Sequence, residues 1–329
     1  MAIITTLILV QQYITRYVLS TALALGVFGN LTAIVVFSQK KHRINSCSIY
    51  LVAVSIFGLI AANWGIAPLV YALDHYDLVN SSLVMCRISG YIMQVCVMSF
   101  RSTLILMCAD RYALCNPRAS IRALCRPQIA YRSIGILLIF WMIVSIHIPI
   151  WKSIENNRCN IYGLYGQVIS YYFLFFIGII PISTLVTISI LLIKTLRHLH
   201  SHVQPNDTRR MKRRDIQFMK LALAEVIVFV FCTASHPIML LYTTISNSII
   251  LNKSAERKQI EAFASFITQS VLLYMNYNIL FLVHASTSKT YRMEVKECIL
   301  KIIGKLRGIK QNQGNATRIS VGEQPRAIT

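Results

Sequence analysis

The architecture of this chain follows from residues 86–112, CRISGYIMQVCVMSFRSTLILMCADRY. Cys86 begins this stretch, Asp110-Arg111-Tyr112 ends it, and Cys86 and Arg111 stand 25 residues apart with a mainly apolar run between them. A helix rises about 1.5 Å per residue, so the stretch predicts a rod of roughly 37 Å, longer than the ~30 Å hydrocarbon core of a bilayer. We therefore expect Cys86 and the Asp110-Arg111 pair to lie on opposite sides of a membrane.

The composition indicates a membrane protein. Of the 329 residues, 55% are hydrophobic and 14% are charged, whereas a soluble domain carries about 25% charged residues. The formal net charge of +21 is a feature of nucleic-acid binders as well, but apolar runs of this length exclude a soluble nucleic-acid-binding protein. The predicted partner is the lipid bilayer, with no nucleic acid.

Seven apolar segments are long enough to cross the bilayer, which requires about 20 residues. They lie at residues 14–38, 48–72, 84–109, 133–151, 166–193, 221–245 and 261–285. We predict an all-α membrane protein, a seven-transmembrane helix bundle with a short amphipathic eighth helix.

The predicted organisation has four parts. They are a short extracellular N-terminus at 1–13, the seven-transmembrane domain at 14–285, an amphipathic membrane-surface helix at 286–309 and a disordered cytoplasmic tail at 310–329. Residues 40–43, 118–132, 194–220 and the region after residue 289 are basic, whereas the other connections are mixed in sign. The positive-inside rule places the basic set and the C-terminus in the cytoplasm and the N-terminus outside a plasma membrane.

Of nine cysteines, Cys86 and Cys159 alone fall in predicted extracellular positions. Disulfides persist outside the cell, so we expect these two to pair; two free thiols are the alternative. The same topology selects Asn80 and Asn252 as candidate glycosylation sites. Cys298, on the amphipathic helix, is a candidate palmitoylation site or a buried unmodified thiol.

The seven spans, the spacing from Cys86 to Arg111, the Asp110-Arg111-Tyr112 triplet and Cys159 before the fifth span together resemble rhodopsin-like (class A) G-protein-coupled receptors. The resemblance covers about residues 14–300 and is greatest to divergent invertebrate FMRFamide-type neuropeptide receptors. It implies a receptor with no enzymatic activity and no cofactor. Its implied partners are an extracellular ligand, a peptide or another small molecule, and a heterotrimeric G protein.

The resemblance assigns coupling and activation to Asp110, Arg111, Tyr112 and Leu114. Asp110 is expected to hold Arg111 in the resting state, and outward movement of the sixth helix is expected to release it. The alternative is an interfacial arginine that extends towards lipid phosphates.

Several landmarks agree with the family and others depart from it. Pro181 and Pro237 stand where the family bends its fifth and sixth helices. Gly58 replaces a sodium-binding aspartate, Ser235 replaces a switch tryptophan, and Leu280 to His284 replace the Asn-Pro-x-x-Tyr motif. These departures place ligand-gated activation of the usual kind in doubt.

Arg101 lies deep within the third span, where an unpaired arginine costs about 2.5–3.5 kcal/mol. We predict an intramembrane polar relay of Arg101, Asn276 and Asn278. The alternative is that Arg101 extends towards the inner membrane face.

The resemblance also implies a ligand pocket that is amphipathic and uncharged. Its predicted residues are Met93, Gln94, Val97, Ser170, Phe173, Tyr242, Phe266 and Ser270. Met93 stands where amine receptors carry an aspartate, and no lysine lies between Lys258 and Lys289 to hold retinal, so a peptide is favoured.

Two other functions remain open. One is a degenerate seven-transmembrane protein that scavenges ligand or serves as a dimer partner without coupling to a G protein. The other is a transporter or channel, which would require a continuous polar path or repeated broken helices. His147, His236 and His284 lie in separate spans without metal-binding spacing, which predicts no metal site.

Overall fold

A computed structural model describes residues 2–116, 118–155, 157–202, 213–250, 252–287, 291–298 and 300. Seven long helices, labelled α1 to α7, account for most of these residues. Three of them contain a π-helical segment, which adds a residue to the turn. The helices are α1 (Ala2–Tyr13, π-helical Ile14–Leu19, Ser20–Phe37), α2 (Ser46–Tyr71), α3 (Leu83–Leu114), α4 (Pro127–Val144, then His147–Trp151), α5 (Gly163–Phe173, π-helical Leu174–Ile179, Ile180–His202), α6 (Arg213–Ile249) and α7 (Ala255–Ser265, π-helical Phe266–Leu273, Tyr274–Asn278, Leu280–Thr287).

Local chemistry explains where these helices begin. Asn45 caps α2, Ser82 caps α3 and Ser254 caps α7, each accepting a hydrogen bond from a backbone N–H two or three residues further on. Such caps satisfy donors that the first helical turn leaves unpaired. Pro127 occupies the first position of α4, where its missing N–H costs nothing.

Six helices among the described residues, α1 to α6, are long and apolar enough to cross a membrane. The seventh helix is more polar, and its regular structure is interrupted at Ile279. Its asparagines, Asn276 and Asn278, are buried inside the bundle instead of facing lipid. The predicted seven-transmembrane helix bundle is confirmed.

The first helix extends further than the predicted organisation implies. Residues 2–13 are helical and continue directly into the rest of α1, so residue 13 marks no change of structure. This segment packs against Ala255–Ser265 at the start of α7. Arg16 pairs with Asp74 in the α2–α3 connection.

The main buried core is built mostly from α2 and α3, with buried residues of α1 and α6 and Tyr277 of α7 packed against them. Leu51 and Val54 of α2 are completely buried. Phe100 of α3 meets Tyr277 of α7 edge to face, with ring centroids 4.9 Å apart. These contacts fix α3 at the centre of the bundle.

The contact between α1 and α7 depends on a glycine. A β-carbon at Gly26 would lie 1.9 Å from Asn278 Oδ1, so a larger residue would force the helices apart. Asn30 donates hydrogen bonds to the carbonyl of Gly26 at 2.9 Å and to that of Tyr277 at 3.0 Å. The asparagine thereby joins the two helices.

A β-hairpin connects α4 to α5. Its strands, β1 (Lys152–Glu155) and β2 (Arg158–Ile161), are antiparallel. Asn157 forms the turn with φ of 56°, a left-handed conformation that asparagine tolerates.

A disulfide anchors the hairpin to α3. It joins Cys86 to Cys159, whose Cα atoms lie 5.7 Å apart. The predicted pairing is confirmed, and the alternative of two free thiols is excluded.

Residues 291–298 form a helix, α8, against the end of the bundle. Tyr291 stacks on Phe37 with ring centroids 5.6 Å apart. Glu294 lies 2.7 Å from His42 Nε2 and 2.9 Å from Lys41 Nζ. This helix falls within the predicted 286–309 segment, whereas 301–309 and the predicted tail lie outside the described residues.

Candidate functional site

A cavity of about 510 Å³ lies at the disulfide end of the bundle, by which we mean the end that carries Cys86 and Cys159. Helices α2 to α7, the hairpin and the α2–α3 connection form its walls. This volume lies within the ~300–1,000 Å³ range of small-ligand pockets. It is therefore sized for a small molecule or for one end of a peptide.

Five of the eight predicted pocket residues line this cavity. They are Met93, Gln94, Val97, Ser170 and Phe173. All five lie on α3 and α5, the helices next to the disulfide-anchored hairpin.

The other three predicted residues do not line the cavity. Tyr242 is 45% exposed, and its hydroxyl lies 3.3 Å from Glu261 Oε1. Phe266 and Ser270 fall within the π-helical segment of α7. Because that segment adds a residue per turn, a residue-by-residue transfer from a regular helix misplaces its faces. The residues of α6 and α7 that line the cavity are His236, Leu240, Gln269, Leu273 and Tyr274.

The two candidate glycosylation sites differ in environment. Asn80 Nδ2, the atom that a glycan would occupy, donates to Asp77 Oδ2 at 2.7 Å. Asn80 Oδ1 accepts from the backbone N–H of Cys159 at 2.8 Å. This side chain fastens the hairpin to the α2–α3 connection, whereas Asn252 is exposed. Glycosylation at Asn80 and at Asn252 stays a prediction.

Arg111 lies at the other end of α3, which we call the Arg111 end. The residue is 1% exposed, and its guanidinium pairs with Asp110 as predicted. Its Nη2 also donates to Asn45 Oδ1 at 3.1 Å and to Ser46 Oγ at 3.2 Å. Ser46 Oγ in turn donates to Asp110 Oδ2 at 2.9 Å. Arg111 is thus held inside the bundle by the start of α2 and does not extend towards lipid.

Tyr112 and Leu114, the other predicted coupling residues, are half-buried. The next residue, Cys115, is buried, and its Sγ lies 3.2 Å from Met219 Sδ of α6. The sixth helix therefore packs directly against α3 beside Arg111. The coupling role of all four predicted residues stays a prediction.

A buried polar contact joins α6 to α7 near this end. Glu225 Oε1 hydrogen-bonds His284 Nε2, and both side chains are at most 2% exposed. The sequence reasoning noted His284 as a departure from the family and missed its partner. A glutamate inside a predicted span was the available signal, because such residues require a partner.

Arg101 is 1% exposed and lies within the bundle rather than at the membrane face. In the part of the chain that the structure describes, none of its three guanidinium nitrogens forms a hydrogen bond. It is not bonded to Asn276 or Asn278, and Asn278 Nδ2 instead donates to the carbonyl of Tyr274 at 3.2 Å. The predicted relay therefore lacks direct contacts in this arrangement, and its role stays a prediction.

The predicted bend prolines lie within their helices. Pro181 lies two residues beyond the end of the π-helical part of α5, and Pro237 lies inside α6. A β-carbon at Gly178 would lie 2.6 Å from Pro237 Cβ. The two helices therefore meet closely at the level of the prolines.

Comparison with known proteins agrees with this architecture. The sequence profile of the family described as 7 transmembrane receptor (rhodopsin family) matches residues 29–290. The chain therefore belongs to the rhodopsin family of seven-transmembrane receptors. A curated relative, neuropeptide Y receptor type 6 of Mus musculus, is 29% identical over 135 residues, which are 40% of this chain and 34% of that receptor. The match thus spans about a third of the relative's length.

Proposed function

We propose that this protein is a plasma-membrane receptor that binds a peptide or other small extracellular ligand and signals through a heterotrimeric G protein. The proposal rests on one observation: α3 lines the cavity at the disulfide end of the bundle and carries Arg111 at the other end. Met93, Gln94 and Val97 of α3 line the cavity, and Arg111 stands 14 residues beyond Val97 on the same helix. At about 1.5 Å per residue this separation is roughly 21 Å.

The proposed orientation places the disulfide end and the N-terminus outside the cell. The C-terminus and the basic connections then face the cytoplasm, in accord with the positive-inside rule. A disulfide at the outer end is consistent with an oxidising exterior. The FMRFamide subtype stays a prediction, and neuropeptide Y receptor type 6 supports a peptide as the ligand.

Signalling would be a population shift between two helix arrangements. In the arrangement seen here, Met219 contacts Cys115 and the start of α2 holds Arg111. Both contacts must separate before a partner helix can reach Arg111. Ligand binding at the other end of α3 and on α6 would favour that separation.

The test is guanine-nucleotide exchange in cells that express the full chain, with and without a peptide library. We expect exchange to rise with at least one peptide and to be lost in Arg111→Ala. Arg118→Ala is the matched control, because Arg118 is an exposed arginine just beyond the same end of α3. Exchange that persists unchanged in Arg111→Ala would exclude coupling through this residue.

A second candidate is a receptor that binds ligand without coupling, as a scavenger or dimer partner. The Glu225–His284 contact favours it, because this buried hydrogen bond ties α6 to α7 where α6 would have to move. Ligand binding without exchange, in cells where a known coupled receptor responds, would support this candidate.

A further inference from the structure

Lys152 directs an ammonium group into the cavity. Its backbone is fixed by pairing with Ile161 across the hairpin and by a hydrogen bond from Arg87 Nε to its carbonyl at 3.2 Å. Its side chain crosses α3 at Gly90, where a β-carbon would lie 2.6 Å from Lys152 Cε and 2.7 Å from Nζ. Nζ reaches within 3.5 Å of Cys159 Sγ. The hairpin, the disulfide and the glycine together place this cation among the cavity-lining groups.

In the part of the chain that the structure describes, Lys152 forms no ion pair with a carboxylate. The ion pairs found there join other residues. Asp77 is the single acidic residue among those that line the cavity. Its Oδ1 accepts from the backbone N–H groups of Val79 and Asn80 at 3.1 Å, and its Oδ2 accepts from Asn80 Nδ2 at 2.7 Å. Burial lowers the pKa of Lys152, as expected for an ammonium group that has lost water without gaining a counter-ion.

The floor of the cavity is also close to positive charge. Val97 and His236 line the cavity, and Arg101 lies one turn beyond Val97 on α3. Arg101 interacts electrostatically with His236 and forms no hydrogen bond to a described residue. The cavity therefore has a cation at its wall and a second one beneath its floor.

We infer that the natural ligand carries a carboxylate that pairs with Lys152 inside this cavity. The carboxylate is either the free C-terminus of a short peptide or the acid group of a small carboxylic acid. The apolar lining from α3, α5 and α6 would receive the rest of the ligand. The inference rests on the proposed ligand site and is independent of G-protein coupling. It predicts that an amidated C-terminus is disfavoured, and it therefore argues against the FMRFamide subtype, whose peptides end in an amide.

The test uses the purified full chain in phospholipid nanodiscs and two probe sets. One set contains short peptides, each synthesised as a C-terminal acid and as a C-terminal amide. The other contains small aromatic and aliphatic carboxylic acids with their primary amides. Affinity is measured from ligand-induced thermal stabilisation. We expect the acid of a binding pair to bind about 10- to 100-fold more tightly than its amide, because the charge-assisted contact is lost in the amide.

Three variants and a control define the role of Lys152. In Lys152→Gln the preference for the acid should disappear, whereas Lys152→Arg should retain most of it. Gly90→Ala keeps the charge but displaces Nζ, so it should weaken acid binding as Lys152→Gln does. Lys258→Gln removes an exposed lysine from the first turn of α7 and should change nothing.

Each outcome decides the inference. Amides that bind as tightly as acids, acid binding unchanged in Lys152→Gln, or a lack of binding in both sets would overturn it. If Lys152→Gln fails to fold, Lys152→Arg and Gly90→Ala carry the same test. Acid-selective binding without nucleotide exchange supports the inference and contradicts coupling. Nucleotide exchange that the amides stimulate as strongly as the matching acids supports coupling and overturns the inference.

Discussion

Arg111 Nη2 of α3 donates a hydrogen bond to Asn45 Oδ1 over 3.1 Å. The same oxygen accepts the backbone N–H of Cys47 at 3.0 Å and so caps α2. One side chain therefore begins a helix and restrains the arginine to which we assign coupling. This restraint comes from α2, in addition to the neighbouring Asp110.

Asn45→Ala should raise basal nucleotide exchange, because it removes one of the groups that hold Arg111. It should also lower the free energy of unfolding by about 1 kcal/mol through loss of the cap. Asn45→Asp is the matched control: it keeps the cap, strengthens the contact with Arg111 and should lower basal exchange. Equal basal exchange in both variants would show that Asn45 does not restrain Arg111.

The contact between Glu225 and His284 should stabilise the resting position of α6. Glu225→Leu and His284→Leu should each destabilise the protein, because each leaves a buried polar partner unpaired. The double variant should lose about 1–3 kcal/mol less than the sum of the single variants. The measurement is a double-mutant cycle by thermal unfolding in lipid nanodiscs. Strict additivity would mean that the two side chains do not interact.

The disulfide should be essential for the shape of the cavity. Loss of Cys86–Cys159, which closes a sequence separation of 73 residues, should cost about 2–4 kcal/mol. It should also release Lys152, which the hairpin positions. Cys86→Ser and the double variant Cys86→Ser/Cys159→Ser should have the same melting temperature, because either removes the same bond. A double variant as stable as the wild type would contradict this role.

Stability should depend on pH through Glu294 of α8. Burial raises the pKa of this carboxyl, but hydrogen bonds from His42 and Lys41 outweigh burial, and the pKa lies below its usual value. A carboxyl whose pKa falls on folding stabilises the protein above the unfolded-state pKa of about 4.3, and this contribution is lost as the pH falls through the folded-state pKa.

Glu294→Gln should therefore lower the free energy of unfolding at neutral pH by about 1–3 kcal/mol. The melting temperature of this variant should approach that of the wild type as the pH falls through the folded-state pKa of Glu294. If the two melting temperatures differed by the same amount at every pH, Glu294 would not be the source of the pH dependence.

Arg101 gives the sharpest test of the predicted relay. Arg101→Leu should raise thermal stability by about 1–4 kcal/mol, because an apolar side chain replaces a buried charge without a bonded partner. The relay predicts that the same variant changes basal exchange or the ligand response, and Arg101→Lys should preserve more of the wild-type behaviour. Unchanged expression, basal exchange and ligand response in Arg101→Leu would exclude the relay.

Much of the fold was predictable because membrane crossing depends on length and polarity, which are local properties. The same local rules selected Cys86 and Cys159 as a pair, which the disulfide between them confirms. The pocket residues predicted on α3 and α5 line the cavity, because these helices flank the disulfide-anchored hairpin, and their role in ligand binding stays a prediction. The pocket residues predicted on α7 do not line it, because the π-helical turn at Phe266–Leu273 changes which residues face inwards.

Long-range partners could not be predicted from the sequence. Asn45 and Ser46 lie more than 60 residues before Arg111, and Glu225 lies 59 residues before His284. No local pattern specifies which polar side chains meet across a helix bundle. The position of Lys152 in the cavity could not be predicted either, because only the hairpin geometry and the absence of a side chain at Gly90 bring its ammonium group there.

The most direct test of the central claim is the labelling of two single-cysteine substitutions in intact cells with a membrane-impermeant thiol reagent. Glu155→Cys lies on the exposed hairpin at the disulfide end, and Arg118→Cys lies just beyond the Arg111 end of α3. We predict that Glu155→Cys is labelled in intact cells and that Arg118→Cys is labelled only after permeabilisation. Labelling of both positions in intact cells would contradict a receptor whose ligand cavity and Arg111 face opposite sides of the membrane.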